Sequence, residues 1–284
     1  MNQITLAPEI DVLLATYNGA KYLDEFLTSL ENQIDVRINL LVSDDGSSDN
    51  SLEIVRAHEK NFYTVTYFDG PKKGATENFY HLMYQSKAPY VAFADQDDIW
   101  EKEHLRNSIE RLKPYEPFPT LTFSTSLTFF DDGRKAYLWP VLKDIPPVSE
   151  LFLEGRARGC SMVFNREANS LLTSYHPQFP HCHDTWAFLV LRTCGIVIYD
   201  RAAEIRYRIH ANNTIGLGER SFFRTFRTLS NRTWKHICNG TNCSQPTEIG
   251  WKNLSVRQWK TYLSTYAEFL CSSPPLSTDK SKIS

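Results

Sequence analysis

The sequence predicts an α/β fold with a mostly parallel, twisted sheet and helices on both of its faces. Three observations carry that expectation. Four short runs rich in branched residues are separated by amphipathic stretches across the first hundred residues. Those runs are apolar almost throughout, as strands covered on both faces must be. Polar clusters follow the first, second and fourth runs, at the carboxyl edge where open parallel sheets bind ligands.

Taken in order, "IDVLLAT" (10–16) is the first strand, and Tyr22, Leu23, Phe26, Leu27 and Leu30 recur after it at helical spacing. "INLLVS" (38–43) is the second strand. "SSDNSLEIVRAHEK" (47–60) opens with Ser and Asp residues able to cap a helix and puts Leu52 and Val55 on one side of it. "FYTVTYF" (62–68) is the third strand, and Asn78 to Tyr84 suits a helix. "YVAFA" (90–94) is the fourth strand and delivers "DQDD". The proline-rich joint "KPYEPFP" (113–119) then marks a change of composition. Beyond it lie a hairpin turning at Asp132-Gly133, a strand at 160–164, and a helix from Arg166. A second helix, "HDTWAFLVLRTCG" (183–195), follows, then two strands, "IVIYD" and "EIRYRIH". This divides the chain into 1–113, 114–217, and a basic C-terminal helical region with a frayed tail, 218–284.

Bulk properties set outer limits. A chain of 284 residues suits one large domain or two intimate halves. A net charge of −2 gives no reason to expect a nucleic-acid partner. Its six cysteines are scattered, without the density of a disulfide scaffold. The N-terminus lacks a basic stretch leading into a long apolar core, and no run approaches the roughly 20 apolar residues of a membrane span. A cytosolic protein is expected.

The chemistry lies in three clusters: "TYN" (Thr16, Tyr17, Asn18), "DDGSSD" (from Asp44 and Asp45) and "DQDD" (Asp95 to Asp98). Alone, the first reads as a turn, and the second as a turn with a helix cap. "DQDD" is less comfortable as a solvated loop, because an apolar strand precedes it and Trp100 follows. Crowded carboxylates repel one another and need a cation between them. Oxygen ligands in an Asp-x-Asp arrangement suit Mg²⁺ or Mn²⁺, with a diphosphate completing the shell. No Walker or Gly-x-Gly-x-x-Gly loop is present to cradle phosphate instead.

"DVLLATYNGAKYLDEFLTSLENQ", "LLVSDDGSSDNS" and "YVAFADQDDIW" together resemble the family 2 glycosyltransferases of the GT-A (Rossmann-like) fold. The resemblance is close over about the first 110 residues and looser to about 217. The "ADQDDIW" spelling is similar to bacterial rhamnosyl- and hexosyltransferases of surface-polysaccharide (O-antigen or capsule) assembly. It implies inverting transfer from a nucleotide-diphosphate sugar, UDP-hexose or dTDP-rhamnose, with Mn²⁺ or Mg²⁺ as cofactor. The implied acceptor is a saccharide on polyprenyl diphosphate. By the same resemblance, Thr16, Tyr17 and Asn18 line the nucleotide site, and Asp45 accepts a hydrogen bond from the base with Asp44 beside it. Asp95 and Asp97 face ribose and metal, with Asp98 a third carboxylate.

In the second half, "HCHDTW" (181–186) is a poor zinc cluster, because neighbours on a helix do not converge. Its ordinary reading is a helix start with Asp184 in the first turn. The resemblance makes Asp184 the general base. It also brings His210 of "YRIH" towards metal or diphosphate, with Arg208 adding positive charge, and puts Gly159 and Cys160 below the acceptor. Residues 219–237 interleave Arg220, Arg224, Arg227, Arg232 and Lys235 with aromatic residues. That pattern suits a helix on the core or one lying on anionic lipid of the inner membrane face. Two rivals from other classes are a non-catalytic nucleotide-sugar-binding subunit of an assembly complex and a sugar nucleotidyltransferase. The second lacks the glycine- and arginine-rich first loop it needs.

Overall fold

The computed structural model describes residues 6–145, 157–174, 182–210 and 213. The C-terminal region 218–284, its basic stretch and His181 lie outside the described residues. Within them the chain runs β1 (Glu9–Thr16), α1 (Ala20–Glu31), β2 (Arg37–Asp44), α2 (Ser51–His58), β3 (Thr64–Asp69), α3 (Ala75–Gln85) and β4 (Tyr90–Asp95). It continues through β5 (Ile99–Trp100), α4 (His104–Leu112), β6 (Thr120–Phe130), β7 (Tyr137–Trp139) and β8 (Met162–Asn165). The last described elements are α5 (Arg166–Thr173), α6 (His183–Cys194) and β9 (Ile196–Ile209).

The strands form one nine-stranded sheet in the order β3-β2-β1-β4-β8-β6-β9-β5, with β7 paired to β6. The long registers, β1 with β2 and β4, β2 with β3, and β6 with β9, are parallel. The short ones, through β8, β5 and β7, are antiparallel. The sheet is therefore mostly parallel and curls, as the α/β expectation requires. It also runs unbroken across the proline-rich joint, since β6, β8 and β9 extend the sheet begun by β1 to β4.

Strand alternation sends side chains to both faces. Ile10, Val12 and Leu14 of β1 pack with Leu23, Phe26 and Leu27 of α1, Val55 of α2 and Leu105 and Ile109 of α4. Leu13 and Phe93 point the other way, into a cluster with Phe79 and Met83 of α3, Leu172 of α5, and Trp186 and Phe188 of α6. Each face is thereby sealed by its own helices, which explains why these strands read as apolar nearly throughout.

Two elements differ from the sequence reading. "IVIYD" and "EIRYRIH" are a single strand, β9, whose register against β6 slips at Ser124, Thr125 and Ser126. Asp200 Oδ1 accepts from the Ala202 N–H at 3.0 Å at that point, forming a local bulge. The exposed Arg201-Ala202-Ala203 stretch carries no apolar alternation, so it imitated a turn. The bulge re-aims the second half of β9 towards β5, a two-residue strand after "DQDD" too short to announce itself.

Candidate active site

Three loops meet at the carboxyl edge of β1, β2 and β4. Gln96, between the two aspartates of Asp-x-Asp, staples the first loop to the third. Its Oε1 accepts from Thr16 Oγ1 at 2.7 Å and from the Tyr17 N–H at 3.1 Å, and its Nε2 donates to the Tyr17 carbonyl at 3.1 Å. Gly19 is needed for this approach, because a Cβ there would stand 2.1 Å from Gln96 Oε1. Asn18 adopts a left-handed backbone (φ 46°), which Asn tolerates. Its Oδ1 accepts from the Ser48 N–H at 2.9 Å, tying the first loop to the second.

Asp44 turns back on its own loop and accepts from the N–H groups of Gly46 and Ser47. Asp45 reaches outward to the segment after β3, accepting from the Lys72 N–H at 2.6 Å and the Gly74 N–H at 2.8 Å. Thr16 is buried, whereas the Tyr17 ring is exposed.

The aspartates after β4 divide. Asp95 and Asp98 place ligand-type atoms within 4.8 Å of each other and of the Cys160 thiol. Asp97 turns to the end of β9, with Oδ2 2.7 Å from His210 Nε2 and 3.2 Å from Asn213 Nδ2. Burial raises the pKa of all three carboxyls, and mutual repulsion adds to it for Asp95 and Asp98, while the His210 hydrogen bond opposes it at Asp97. Burial, with Asp98 and Asp95 alongside, also pushes the Cys160 thiol well up, so it is no thiolate nucleophile.

Arg208 holds this corner from behind and is only 7% exposed. Its backbone N–H donates to Asp98 Oδ1 at 3.0 Å and its Nε to the Asp97 carbonyl at 3.0 Å. Nη1 pairs with Asp131 at 2.9 Å, and Nη2 pairs with Glu25 of α1. Tyr22 completes the clamp, stacking on His210 with centroids 4.5 Å apart and donating from its hydroxyl to Asp131 at 2.6 Å. Arg208 thus pairs with two carboxylates and supports the Asp97 loop.

The facing wall comes from the second half. Asp184 lies in the first turn of α6, where its Oδ1 accepts from the Thr185 hydroxyl at 3.2 Å. Asp184 Cβ lies 3.4 Å from where a Cβ at Gly159 would stand, and the next residue, Cys160, places its thiol within 4.8 Å of ligand-type atoms of Asp95 and Asp98. His183 beside it is buried, stacked 3.9 Å from the Phe79 centroid, and neither ring nitrogen has a hydrogen-bond partner among the described residues. Burial lowers its pKa to about 4 and keeps the ring neutral. Gly159 fits here because a Cβ would stand 2.6 Å from His183 Nε2 and 3.4 Å from Asp184 Cβ.

A divalent cation fits the donor set. Asp95 and Asp98 are crowded and Asp98 Oδ2 is buried without a partner among the described residues, while Asp97 and His210, one sequence position and one strand end away, are bonded to each other. Hard oxygen donors of this kind suit Mg²⁺ or Mn²⁺, and the protonated Cys160 does not compete. Sequence reasoning missed Gln96, Tyr22, Asp131 and Arg158. Gln96 was hidden by the acids flanking it, Tyr22 and Asp131 read as a helix face and a hairpin turn, and Arg158 was overlooked one residue before the noted Gly159.

Residues 11–169, more than half of the chain, match the family described as Glycosyl transferase family 2. Among curated proteins, the chain is similar to the dTDP-rhamnosyl transferase RfbG of Shigella flexneri. The two are 29% identical over 216 residues, 72% of this chain and 73% of that protein. It is also similar to the GalNAc(5)-diNAcBac-PP-undecaprenol beta-1,3-glucosyltransferase of Campylobacter jejuni, 30% identical over 93 residues, 32% of this chain and 30% of that one. Among solved structures, S. aureus TarS 1–349 in complex with UDP-GlcNAc superposes with a TM-score of 0.61 at 17% identity, covering 92% of this chain and 72% of that one. The mannosyltransferase PcManGT of Pyrobaculum calidifontis, in complex with GDP-Man and Mn²⁺, gives 0.54 at 14% identity, covering 94% and 72%. These structural likenesses establish the GT-A-like fold.

Proposed function

Because the chain belongs to glycosyl transferase family 2, we propose that it transfers a sugar, with inversion, from a nucleotide-diphosphate donor to a lipid-linked saccharide in bacterial surface-polysaccharide synthesis. The observation that supports this reading is the crowded Asp95, Asp98 and Cys160 group at the sheet edge, with Asp184 packed against Gly159 beside it. In the reaction, an acceptor hydroxyl oxygen attacks the anomeric carbon, the bond from that carbon to the diphosphate oxygen breaks, and the hydroxyl proton passes to Asp184. The nucleoside diphosphate leaves from the opposite side.

Asp95, Asp97 and His210 would hold Mn²⁺ or Mg²⁺, which when bound supplies positive charge against the departing diphosphate. Thr16, Tyr17, Asn18, Asp44 and Asp45 shape the nucleotide end. Asp45 retains acceptor capacity for a base N–H, since a carboxylate offers about four lone-pair sites and two are taken here. Arg208 serves the site by fixing the Asp97 loop. The relative named for dTDP-rhamnose supports that donor, with UDP-hexose as the alternative, and the one named for an undecaprenol-linked substrate supports a polyprenyl-diphosphate acceptor. Such an acceptor places the enzyme at the cytoplasmic face of the membrane. Among the described residues no helix is long and apolar enough to cross it, and residues 219–237 are candidates for peripheral contact with anionic lipid.

The test is a panel of UDP- and dTDP-sugars assayed against a lipid-diphosphate-linked sugar, with Mn²⁺ and with EDTA. Metal-dependent transfer giving an inverted anomer is expected. Donor binding without transfer from any donor would instead favour the non-catalytic subunit.

A further inference from the structure

Arg158 takes part in none of the steps above. It is half-buried in the turn before β8, and its guanidinium lies against two rings, with Cζ 4.5 Å from the Trp139 centroid and 3.8 Å from that of Tyr207. Nη1 donates to Ser126 Oγ at 2.6 Å and to Thr128 Oγ1 at 2.8 Å. Contacts from β6, β7 and β9 therefore fix the group in both plane and rotation. Yet no carboxylate pairs with it among the described residues, and Nε and Nη2 donate to nothing there. Of the five N–H donors of an arginine, three are left over, and two of them, Nε–H and one Nη2–H, lie along one edge, the fork that matches two oxygens of a phosphate or carboxylate.

Its place in the site gives that edge a purpose. Arg158 adjoins Gly159, which packs against His183 and Asp184. Two residues on, the Cys160 thiol lies within 4.8 Å of ligand-type atoms of Asp95 and Asp98, which puts the Arg158 turn beside the donor-side acids. Were it there only to neutralise those acids, a direct ion pair with one of them would do so best, and Arg208 shows that this chain builds such pairs. An immobilised cation with an unused donor edge is instead prepared for a ligand, because little further side-chain entropy is lost on binding.

We propose that Arg158 is a substrate-binding residue whose Nε–Nη2 edge grips a phosphate oxyanion of the substrate. This rests on the glycosyltransferase reading, in which that oxyanion belongs to the diphosphate of either the donor or the lipid acceptor. The test titrates UDP and dTDP, each with Mn²⁺, into the wild type, Arg158→Gln and Arg158→Lys, and measures the KM of a lipid-diphosphate-linked sugar for all three. Lysine keeps the charge but loses the fork.

A loss of at least about tenfold is expected in one of the two constants for both variants, with unfolding temperatures like the wild type's. A loss in nucleoside-diphosphate affinity assigns the contact to the donor. A loss confined to the acceptor KM assigns it to the acceptor. Both constants unchanged in Arg158→Gln, or an Arg158→Lys enzyme equal to wild type, would overturn the proposal while leaving the glycosyltransferase reading intact. If the glutamine variant does not fold, the lysine variant decides alone. A wild type that binds neither UDP nor dTDP would bring down both readings, before any substitution is made.

Discussion

At the Asp97 corner the charged side chains answer one another, whereas across the site, on the Asp184 wall, buried polar groups stand without partners. Arg208 is matched by Glu25 and Asp131, and Asp97 by His210. Opposite them, His183 presents two ring nitrogens that bond to nothing described, and Arg158 has no carboxylate partner among the described residues. The first corner is built mainly from the chain's own ion pairs, although Asp98 Oδ2 there is also without a partner among the described residues. The second is incomplete by the usual rule that buried polar groups are satisfied. In the proposed reaction, the paired corner would serve the donor and the less-paired wall would receive the second substrate.

The most severe way to break this contrast is Asp97→Ala. It removes a carboxylate of the proposed metal set and releases His210 and Asn213 together. Nucleotide binding that depends on Mn²⁺ should disappear, and transfer with it. Calorimetric titration of UDP or dTDP with and without the metal would read this, and a normal rate, or full wild-type activity in EDTA, would remove the metal from the scheme.

A milder change is expected at Asp45. Alanine there would remove the proposed hydrogen bond to the base and loosen the segment at Lys72 and Gly74. One hydrogen bond of about 1.4 kcal/mol corresponds to roughly a tenfold higher donor KM at unchanged kcat, since the contact serves ground and transition states alike. A fall in kcat at saturating donor would show that Asp45 acts on the reaction itself.

The smallest effect concerns pH and the unpartnered wall. Burial holds the folded-state pKa of His183 near 4, below the usual histidine value. The unfolded chain therefore binds a proton that the folded one refuses. The contribution to stability is complete above about pH 6.5 and is lost as pH falls from there through about 4. Its slope is about 1.4 kcal/mol per pH unit for one proton. His183→Phe keeps a ring against Phe79 and should flatten this part of the denaturant-derived stability profile by one proton. Identical slopes in the two proteins would mean that His183 finds a partner in solution.

The parts of this arrangement that could be read from sequence are those written in consecutive residues. "ADQDDIW" couples an apolar strand to crowded acids, so Asp95 to Asp98 stood out, whereas Asp184 read as an ordinary helix start and was singled out only by the family resemblance. The α/β fold was legible for the same reason, since strand and helix periods are local. What escaped depends on distant pairs. Arg208 meets Glu25 across 183 residues and Asp131 across 77, and nothing in "YRIH" announces that its arginine is already engaged. Arg158 drew no notice because its significance lies in the rings of Trp139 and Tyr207 and in a missing carboxylate. The fusion of two expected strands into β9 was hidden by a bulge that looks like a turn in one dimension.

The general-base role of Asp184 is tested most directly by Asp184→Asn in single-turnover transfer, with donor affinity measured on the same protein. Asparagine keeps the size and serves almost as well near a helix start, so the fold should lose only a few tenths of a kcal/mol. If Asp184 takes the acceptor proton, the transfer rate constant should fall by about 10²–10⁴ while donor affinity stays as in the wild type. A folded Asp184→Asn enzyme that transfers sugar at nearly the wild-type rate would contradict the mechanism and leave Asp184 as a helix-start residue only.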